Sequence, residues 1–225
     1  MKKHCSGCPV LETSFFSALK GSAKELLACL FVYGRYSQRQ VIFQEGNPAT
    51  RVYALKSGLL KTYKTNAGGK SQLLELIRPG EVFGLEGLSC DEYSVTVEVV
   101  QPAEICFFEN ARFKGMLAEN PALAHEIIRI LSGCLVAYQN KLIGWGTRTT
   151  ESRMAGFLLD LRPPGAGEAA GWIELPISRS ELASFLGVRI ETLSRLMRRL
   201  ENERILHASG KRVKVLDAAR LATLA

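Results

Sequence analysis

The sequence lacks any long apolar segment. No apolar run approaches the roughly 20 residues that a membrane span needs, and the most hydrophobic stretches are interrupted by Lys, Arg or Glu. Lys2 and Lys3 are followed by none of the apolar residues that a secretory signal contains. We therefore expect a cytoplasmic protein that makes no contact with a membrane.

The residue sets that enzymes use are also missing. The sequence offers no Ser/His/Asp set, no glycine-rich phosphate loop and no paired acidic clusters around a plausible pocket. Histidine is scarce: His4, His125 and His207 are the three, and none falls in the β-rich part of the chain, which argues against haem. We expect no enzymatic activity.

The chain of 225 residues is long for one domain and comfortable for two. Its cysteines are few and spread out, at positions 5, 8, 29, 90, 106 and 134. In a reducing compartment they are expected to be thiols, metal ligands or redox switches rather than structural disulfides. Cys5 and Cys8 form the segment CSGC near the N-terminus, where a thiol pair contributes little to a core.

Residues 40–108 have a sequence pattern typical of β-structure. Short β-rich runs such as QVIF, RVYALKSG, LLKTYKT and AEICFF are separated by glycines and by Gln101-Pro102. This pattern predicts an antiparallel sandwich or small barrel. Before it, residues 22–33 are predicted to form a short helix.

A helix of about 25 residues is predicted from Pro121, because apolar residues then recur at spacings of three and four. This seam consists of Ile127, Leu131, Cys134, Tyr138, Leu142 and Trp145. Further apolar residues lie off the seam: Ile128, Ile130, Leu135 and Ile143. Two faces therefore need burial. One can cover the sheet, and we expect the other to pack on a partner helix in a homodimer.

The segment SRSELASFLGVRIETLSRLMRRLENERIL predicts two crossed helices. Ser178 and Glu181 form a capping box that opens the first helix, and Gly187 ends it in a left-handed turn. The second helix has Leu193, Leu196, Met197 and Leu200 facing inward. This arrangement is typical of a helix-turn-helix.

The outward residues of the second helix suit contact with DNA. They are Arg189, Ile190, Glu191, Thr192, Ser194, Arg195, Arg198 and Arg199. Arg can pair with guanine and Glu can accept from cytosine, although Glu191 and Arg195, four residues apart, could instead form a surface salt bridge.

The following segment RILHASGKRVKVLD predicts a basic hairpin around Ser209-Gly210, whose Lys211 suits the phosphate backbone. Residues 189–214 hold eight basic and three acidic residues. We therefore predict binding to double-stranded DNA.

A β-rich sensor, a long helix and a C-terminal winged helix-turn-helix resemble the cyclic AMP receptor/fumarate-nitrate reduction regulator (CRP/FNR) family over essentially the whole chain. The segment GVRIETLSRLMRRLENERIL is especially similar to the FNR branch. The resemblance implies an α+β fold with an antiparallel β-roll (jelly-roll) sensor. It divides the chain into a cysteine-containing tail (1–20), the β-roll (21–117), a dimerisation helix (118–147) and a winged helix-turn-helix (148–225).

The resemblance also implies a role in transcription, with RNA polymerase as a partner. Glu191, Ser194 and Arg195 match the base-reading residues of the FNR branch, and the implied site is a TTGAT-type palindrome. Arg189 departs from the neutral residue usual there, which allows an altered outer base or an added phosphate contact. A signalling adaptor that does not bind DNA is the alternative, against which the outward arginines and the basic wing argue.

In the cyclic-nucleotide branch, a Glu holds the ribose and an Arg-Ser pair holds the phosphate. Ser94 matches that serine, but Tyr93 replaces the arginine and Leu85 stands at the place of the glutamate. Glu86 is one residue out of register and is expected to point to the other side of a strand. A buried phosphate without its guanidinium is poorly compensated, so cyclic AMP is not expected as the ligand.

In the oxygen-sensing branch, four cysteines hold a 4Fe–4S cluster. Cys5, Cys8 and Cys106 match three of these ligands, whereas the fourth position falls on Ser14. The resemblance thus implies a cluster that responds to oxygen, redox state or nitric oxide, with Ser14, His4, Cys29 or an exogenous group as fourth ligand. A thiol switch, another effector in the β-roll and a pair without sensing role remain alternatives.

Overall fold

The computed structural model describes Val10 and residues 30–66, 68–69, 71–162 and 171–225 of a chain that forms two compact units, 1–138 and 139–225. The described strands of the first unit are β1 Val32–Tyr36, β2 Val41–Phe43, β3 Arg51–Thr65, β4 Ser71–Ile77, β5 Val82–Phe83 and β6 Thr96–Glu109. A 3-10 turn spans Leu85–Leu88, helix α1 spans Asn110–Glu119, and helix α2, Pro121–Thr147, runs from the first unit into the second.

The strands pair antiparallel in the order β1-β6-β3-β4, with β2 also on β6 and β5 also on β3. The predicted α+β class and antiparallel β-roll are confirmed. One detail was wrong: a helix over 22–33 does not extend to residue 33, because Val32 begins strand β1 and pairs with Phe107. Residues 22–29 of this prediction lie outside the described residues.

Strand β3 is longer than the sequence indicated. RVYALKSG and LLKTYKT are one strand, β3, which continues through Gly58 with shifts of register against β6. Gly58 has φ +95°, and a Cβ there would meet the carbonyl of Pro102 and lie 2.7 Å from Ala103 Cα. The glycine therefore bends a strand instead of ending it.

Successive side chains of the central strands point to opposite faces of the sheet, and this alternation produces two separate cores. The roll core lies inside the sheet and comprises Phe43, Ala49, Tyr53, Leu55, Leu60, Ile77, Phe83, Tyr93, Val97, Val99, Ala103 and Ile105. The helix-side core lies on the other face and comprises Val10, Phe31, Val52, Ala54, Cys106, Phe108, Phe113, Leu123, Ile127 and Ile130. Neighbouring residues of one strand, such as Ile105 and Cys106, thus belong to different cores.

The second unit contains helices α3 Thr150–Asp160, α4 Arg179–Phe185, α5 Ile190–Asn202 and α6 Ala218–Leu224. Strands β7 Ile173–Glu174, β8 Leu206–Ser209 and β9 Arg212–Val215 form an antiparallel sheet in the order β7-β9-β8. Among the described residues, no helix combines the length and the apolarity that crossing a membrane requires.

The helix-turn-helix forms for the reasons that the sequence indicated. The Ser178 hydroxyl accepts from the Glu181 amide at 3.2 Å, and the Ser178 amide donates to the Glu181 carboxylate at 2.8 Å. Gly187 adopts φ +68° after α4, where an L side chain would be strained. The capping box and the left-handed turn are both confirmed.

Candidate nucleic-acid interface and sensor site

Helix α5 has one buried and one exposed face. Its buried face consists of Leu193, Leu196, Met197 and Leu200. The predicted DNA-contacting residues Arg189, Glu191, Thr192, Arg195 and Arg198 are exposed, and Ser194 is half-buried. The strict separation leaves the polar face available to a ligand.

Arg199 forms ion pairs with other residues of its own domain. Its guanidinium pairs with the Glu151 carboxylate on α3 and, at 3.8 Å, with that of Glu203. Glu203 is held in turn by Arg220 at 3.2 Å. Arg199 is exposed, as predicted, and its ion pairs link α5 to α3 and, through Glu203, to α6.

The salt bridge considered between Glu191 and Arg195 is not among the ion pairs of the described residues, which on α5 involve Arg199 and Glu201. Thr192 and Arg195 instead line an open recess of about 470 Å³ together with Thr149 and Thr150 at the start of α3. Both side chains are thus accessible from solvent.

The β8–β9 hairpin forms the predicted wing. Strand pairing brings Ser209 opposite Arg212, with Gly210 in a left-handed conformation at the turn. Lys211 is exposed at this tip. The Arg179 guanidinium donates to the Gly210 carbonyl at 3.4 Å, so the first residue of α4 braces the turn.

Helix α2 buries one of its apolar faces within the subunit. Leu123, Ile127 and Ile130 belong to the helix-side core, and Leu131 packs against it. The exposed apolar residues of the helix are Ile128, Leu135, Val136, Tyr138, Leu142 and Ile143. The predicted seam is therefore divided between two faces, because Ile127 is 3% exposed and belongs to the helix-side core, whereas Tyr138 and Leu142 are exposed.

Tyr138 links α2 to the sheet of the first unit. Its hydroxyl donates to the Glu75 carboxylate on β4 at 3.4 Å. Partial burial of the phenol, followed by the nearby charges of Glu75 and Glu81, raises the pKa of Tyr138 to about 12. The phenol therefore stays protonated and able to donate at neutral pH.

The residues that match a cyclic-nucleotide site make other contacts within the protein. Glu86 lies in the 3-10 turn, not on a strand as expected, and accepts a bond of 3.4 Å from the Ser94 hydroxyl. Leu85 packs against the helix-side core. The Tyr93 hydroxyl donates to the Arg51 carbonyl at 2.7 Å and accepts from the Arg51 amide at 3.1 Å.

Aromatic rings fill the roll core beside this segment. The rings of Phe43 and Tyr93 stack with centroids 3.7 Å apart, and those of Tyr53 and Phe83 lie 5.2 Å apart. Burial is the main cause that raises the pKa of both Tyr53 and Tyr93. These phenols are therefore neutral packing groups that offer no positive charge to a phosphate.

Of the proposed iron ligands, Cys106 is described, whereas Cys5, Cys8 and the alternatives Ser14, His4 and Cys29 lie outside the described residues. Cys106 is 8% exposed on β6 and faces the helix-side core. The described residues contain no group of three His, Cys, Asp or Glu side chains that could hold a metal ion.

Val10 is a residue that the sequence did not single out. It is 1% exposed and belongs to the same core as Cys106 and the first turns of α2. A single apolar residue in a tail carries no periodic signal, so only the tertiary structure reveals it.

The chain resembles known regulators along its whole length. Residues 34–120 match the family model described as cyclic nucleotide-binding domain, and residues 152–224 match the Crp-like helix-turn-helix domain. These two domains define a sensor-linked, DNA-binding transcription regulator.

Individual relatives agree with this class. The transcriptional activator protein FnrA of Stutzerimonas stutzeri is 29% identical over 99% of this chain and 92% of its own. The fumarate and nitrate reduction regulatory protein of Vibrio cholerae is 24% identical over 99% and 90%. The structure of FixK2 from Bradyrhizobium japonicum, 27% identical, superposes with a TM-score of 0.69 over 86% of this chain and 96% of that one.

The chain belongs to the CRP/FNR family of transcriptional regulators. Both of its domains and its relatives are regulators and not enzymes. Binding of DNA through the helix-turn-helix follows from this membership.

Proposed function

We propose that the protein acts as a homodimer that reads a TTGAT-type palindrome and responds to oxygen, redox state or nitric oxide rather than to cyclic AMP. It would act on promoters together with RNA polymerase. The observation that carries this proposal is the exposed polar face of α5, whose opposite face is fully used by the domain core.

The chemistry of this face supports a division of labour. Glu191 and Arg195 stand one turn apart, so that Glu191 can accept from cytosine while Arg195 pairs with guanine in the same groove. Ser194, between them on the helix surface, can serve as donor or acceptor to a neighbouring base. The remaining contacts would go to phosphates, from Arg189, Thr192, Arg198 and Lys211.

The exposed stripe of α2 supports the homodimer. Ile128, Leu135 and Leu142 are 61%, 60% and 71% exposed and recur every seven residues, as in a coiled-coil seam. Leu131 and Tyr138 alternate with them at three- and four-residue spacing. A partner helix of the same sequence would bury this stripe and bring two copies of α5 to successive turns of a palindrome.

Three features argue against cyclic AMP as the signal. Leu85 contributes packing where a ribose-binding carboxylate would be needed, Tyr93 is bonded to the backbone of Arg51, and Glu86 would place a negative charge beside Ser94. A phosphate at Ser94 would therefore meet the Glu86 carboxylate, and two neighbouring negative charges repel each other.

An iron–sulfur cluster suits the donors that the chain offers. Cysteine sulfurs are its usual protein ligands, and Cys106 offers a free thiol in the wall of an apolar core. Val10 is anchored in that core, and Cys8 precedes it by two residues, so their Cα atoms can be at most about 7 Å apart. When bound, such a cluster supplies a redox-active and oxygen-sensitive group. Names such as that of the Vibrio cholerae relative support a signal of this type.

Binding to a TTGAT palindrome and to a scrambled duplex tests the DNA part of the proposal. Arg195→Ala should weaken the palindrome by about 1–3 kcal/mol and relax the preference at one base pair, because a bidentate contact is lost. Lys211→Ala should weaken both duplexes alike and reduce the salt dependence by about one counterion. Equal losses on both duplexes for both variants would show that the base-reading assignment is wrong.

A further inference from the structure

Glu151 places a carboxylate beside the proposed base-reading face of α5. It lies in the first turn of helix α3, where the helix dipole favours a negative charge, and its side chain is 24% exposed. Glu151 lines the same recess as two arginines of α5, Arg195 and Arg199. A partly buried carboxylate is stabilised by a cation, and this recess offers two guanidinium groups.

The two arginines are alternative partners for this carboxylate. They stand one turn apart on α5, so that their Cβ atoms are about 5–6 Å from each other. In the structure Arg199 pairs with Glu151, and the ion pairs of the described residues do not include Arg195. A guanidinium that binds a carboxylate uses the N–H donors that pairing with guanine needs. Arg195 can therefore read a base only while Glu151 is held by another residue.

A second ion pair keeps Arg199 available for this contact. Arg199 also lies 3.8 Å from the carboxylate of Glu203, one turn further along α5. Arg220 on α6 binds that carboxylate at 3.2 Å and donates to the backbone carbonyl of Glu203 at 3.1 Å. The charge of Glu203 is thus compensated from α6, and Arg199 is left to compensate Glu151.

We infer that Arg199 is a positioning residue, which occupies Glu151 and so keeps the guanidinium of Arg195 free for a base. Without Arg199, Glu151 would bind Arg195, and each specific complex would first have to break that pair. Contacts of other residues with phosphates would not change. The inference rests on the proposed function, in that Arg195 must read a base.

Arg199→Gln and Glu151→Gln test the inference, because they break the same ion pair but leave different partners behind. The full-length protein first selects its preferred duplex from a randomised library, so that the test does not depend on an assumed half-site. The readout is the specificity ratio, defined as the Kd for a scrambled duplex divided by the Kd for the selected duplex. A change of net charge alters both Kd values alike and cancels in this ratio.

Arg199→Gln should lower the specificity ratio about threefold per half-site, and about tenfold for a palindrome, as expected for an exposed ion pair that must be broken. Glu151→Gln should keep the wild-type ratio, although it loses the same pair. The double variant should regain the wild-type ratio, because no carboxylate is left to bind Arg195. In an Arg195→Ala background, Arg199→Gln should cause no further fall.

Arg198→Gln is the matched control. Arg198 is an exposed arginine of the same helix that does not line the recess. Its replacement should weaken binding to both duplexes alike and leave the specificity ratio unchanged, because it contacts only the DNA backbone under the proposed function. Addition of Glu151→Gln should not change the ratio of this variant.

Equal falls of the ratio in Glu151→Gln and Arg199→Gln would show that the pair merely orients α5, and would overturn the inference. An unchanged ratio in Arg199→Gln, or a fall that Glu151→Gln does not restore, would also overturn it and leave the proposed function standing. Selection of a motif unlike TTGAT, with the expected restoration, would overturn the proposed half-site and support the inference. Wild-type specificity in Arg195→Ala would overturn both the base-reading assignment and the inference.

Discussion

The exposed stripe of α2 makes a quantitative prediction about dimerisation. Leu135 lies in the middle of the stripe and is 60% exposed in the single chain. Leu135→Ala removes a side chain that a partner helix would bury, while nearly all packing within the subunit is left intact. The dimer should therefore dissociate more readily without a matching loss of fold.

The magnitude follows from the area still exposed. Burial of a whole leucine side chain is worth about 1.5–3 kcal/mol, so the exposed 60% of Leu135 is worth roughly 1–2 kcal/mol per subunit. Each dimer loses two such side chains, about 2–4 kcal/mol in total, which raises the dimer Kd roughly 30- to 1,000-fold.

Sedimentation velocity over nanomolar to micromolar concentrations measures this shift. Ile127→Ala is the matched control, because Ile127 is buried in the helix-side core. It should lower the free energy of unfolding by about 2–5 kcal/mol and leave the dimer Kd nearly unchanged. Leu131→Glu is less informative, since Leu131 packs against its own core as well as lying on the stripe.

The opposite pattern would refute this reasoning. If Leu135→Ala stays dimeric at nanomolar concentration while Ile127→Ala dissociates, the subunits associate through another face of α2. If neither variant changes the Kd, the dimer is held by a surface other than this helix.

Two further predictions concern the sensor unit. Cys106→Ala should abolish visible absorbance of anaerobically purified protein and any signal-dependent change in DNA affinity, whereas Ser14→Cys should slow iron loss on exposure to air; a colourless, iron-free wild type would contradict both. Gly58→Ala should lower the thermal unfolding temperature because its Cβ would meet Pro102 and Ala103, while Gly46→Ala, also at positive φ but in open space, should cost only about 1–2 kcal/mol. Equal losses for the two glycines would show that the strand bend tolerates a side chain.

The helix-turn-helix was predictable because its signals are local. The capping box at Ser178 and Glu181, the left-handed Gly187 and the inward leucines each act within a few residues of one another. The full length of strands β3 and β6 was harder to predict, since Gly58 and Pro102 are residue types that usually occur in turns. Only the pairing of the two strands shows that the chain bends at these positions and continues as a strand. The residue types at Gly58 and Pro102 predict that the strands end there, but the pairing of β3 with β6 continues through both positions.

The faces of α2 show a different limit. Apolar residues at Ile127, Ile128, Ile130 and Leu131 fit more than one helical stripe, so periodicity states that two faces are apolar without saying which faces the sheet. Burial decides it: Ile127 and Ile130 belong to the helix-side core, and Ile128 is exposed. The two possible assignments of the buried face differ by a shift of one residue, and one residue corresponds to a rotation of about 100° around the helix.

That division of α2 bears on how a signal would reach the DNA-binding unit. Val10, Cys106 and Ile127 share one packed core, so under the proposed function a displacement of Val10 would act on the N-terminal half of α2. The exposed seam begins on the same turns, at Ile128, and Leu131 touches the core while lying on the seam. If the proposed cluster and homodimer form, a change at the cluster site would need no long chain of contacts to alter the packing of the proposed dimer. It has only to rotate the turns that both surfaces share, because packed helix interfaces switch between discrete arrangements and do not deform continuously.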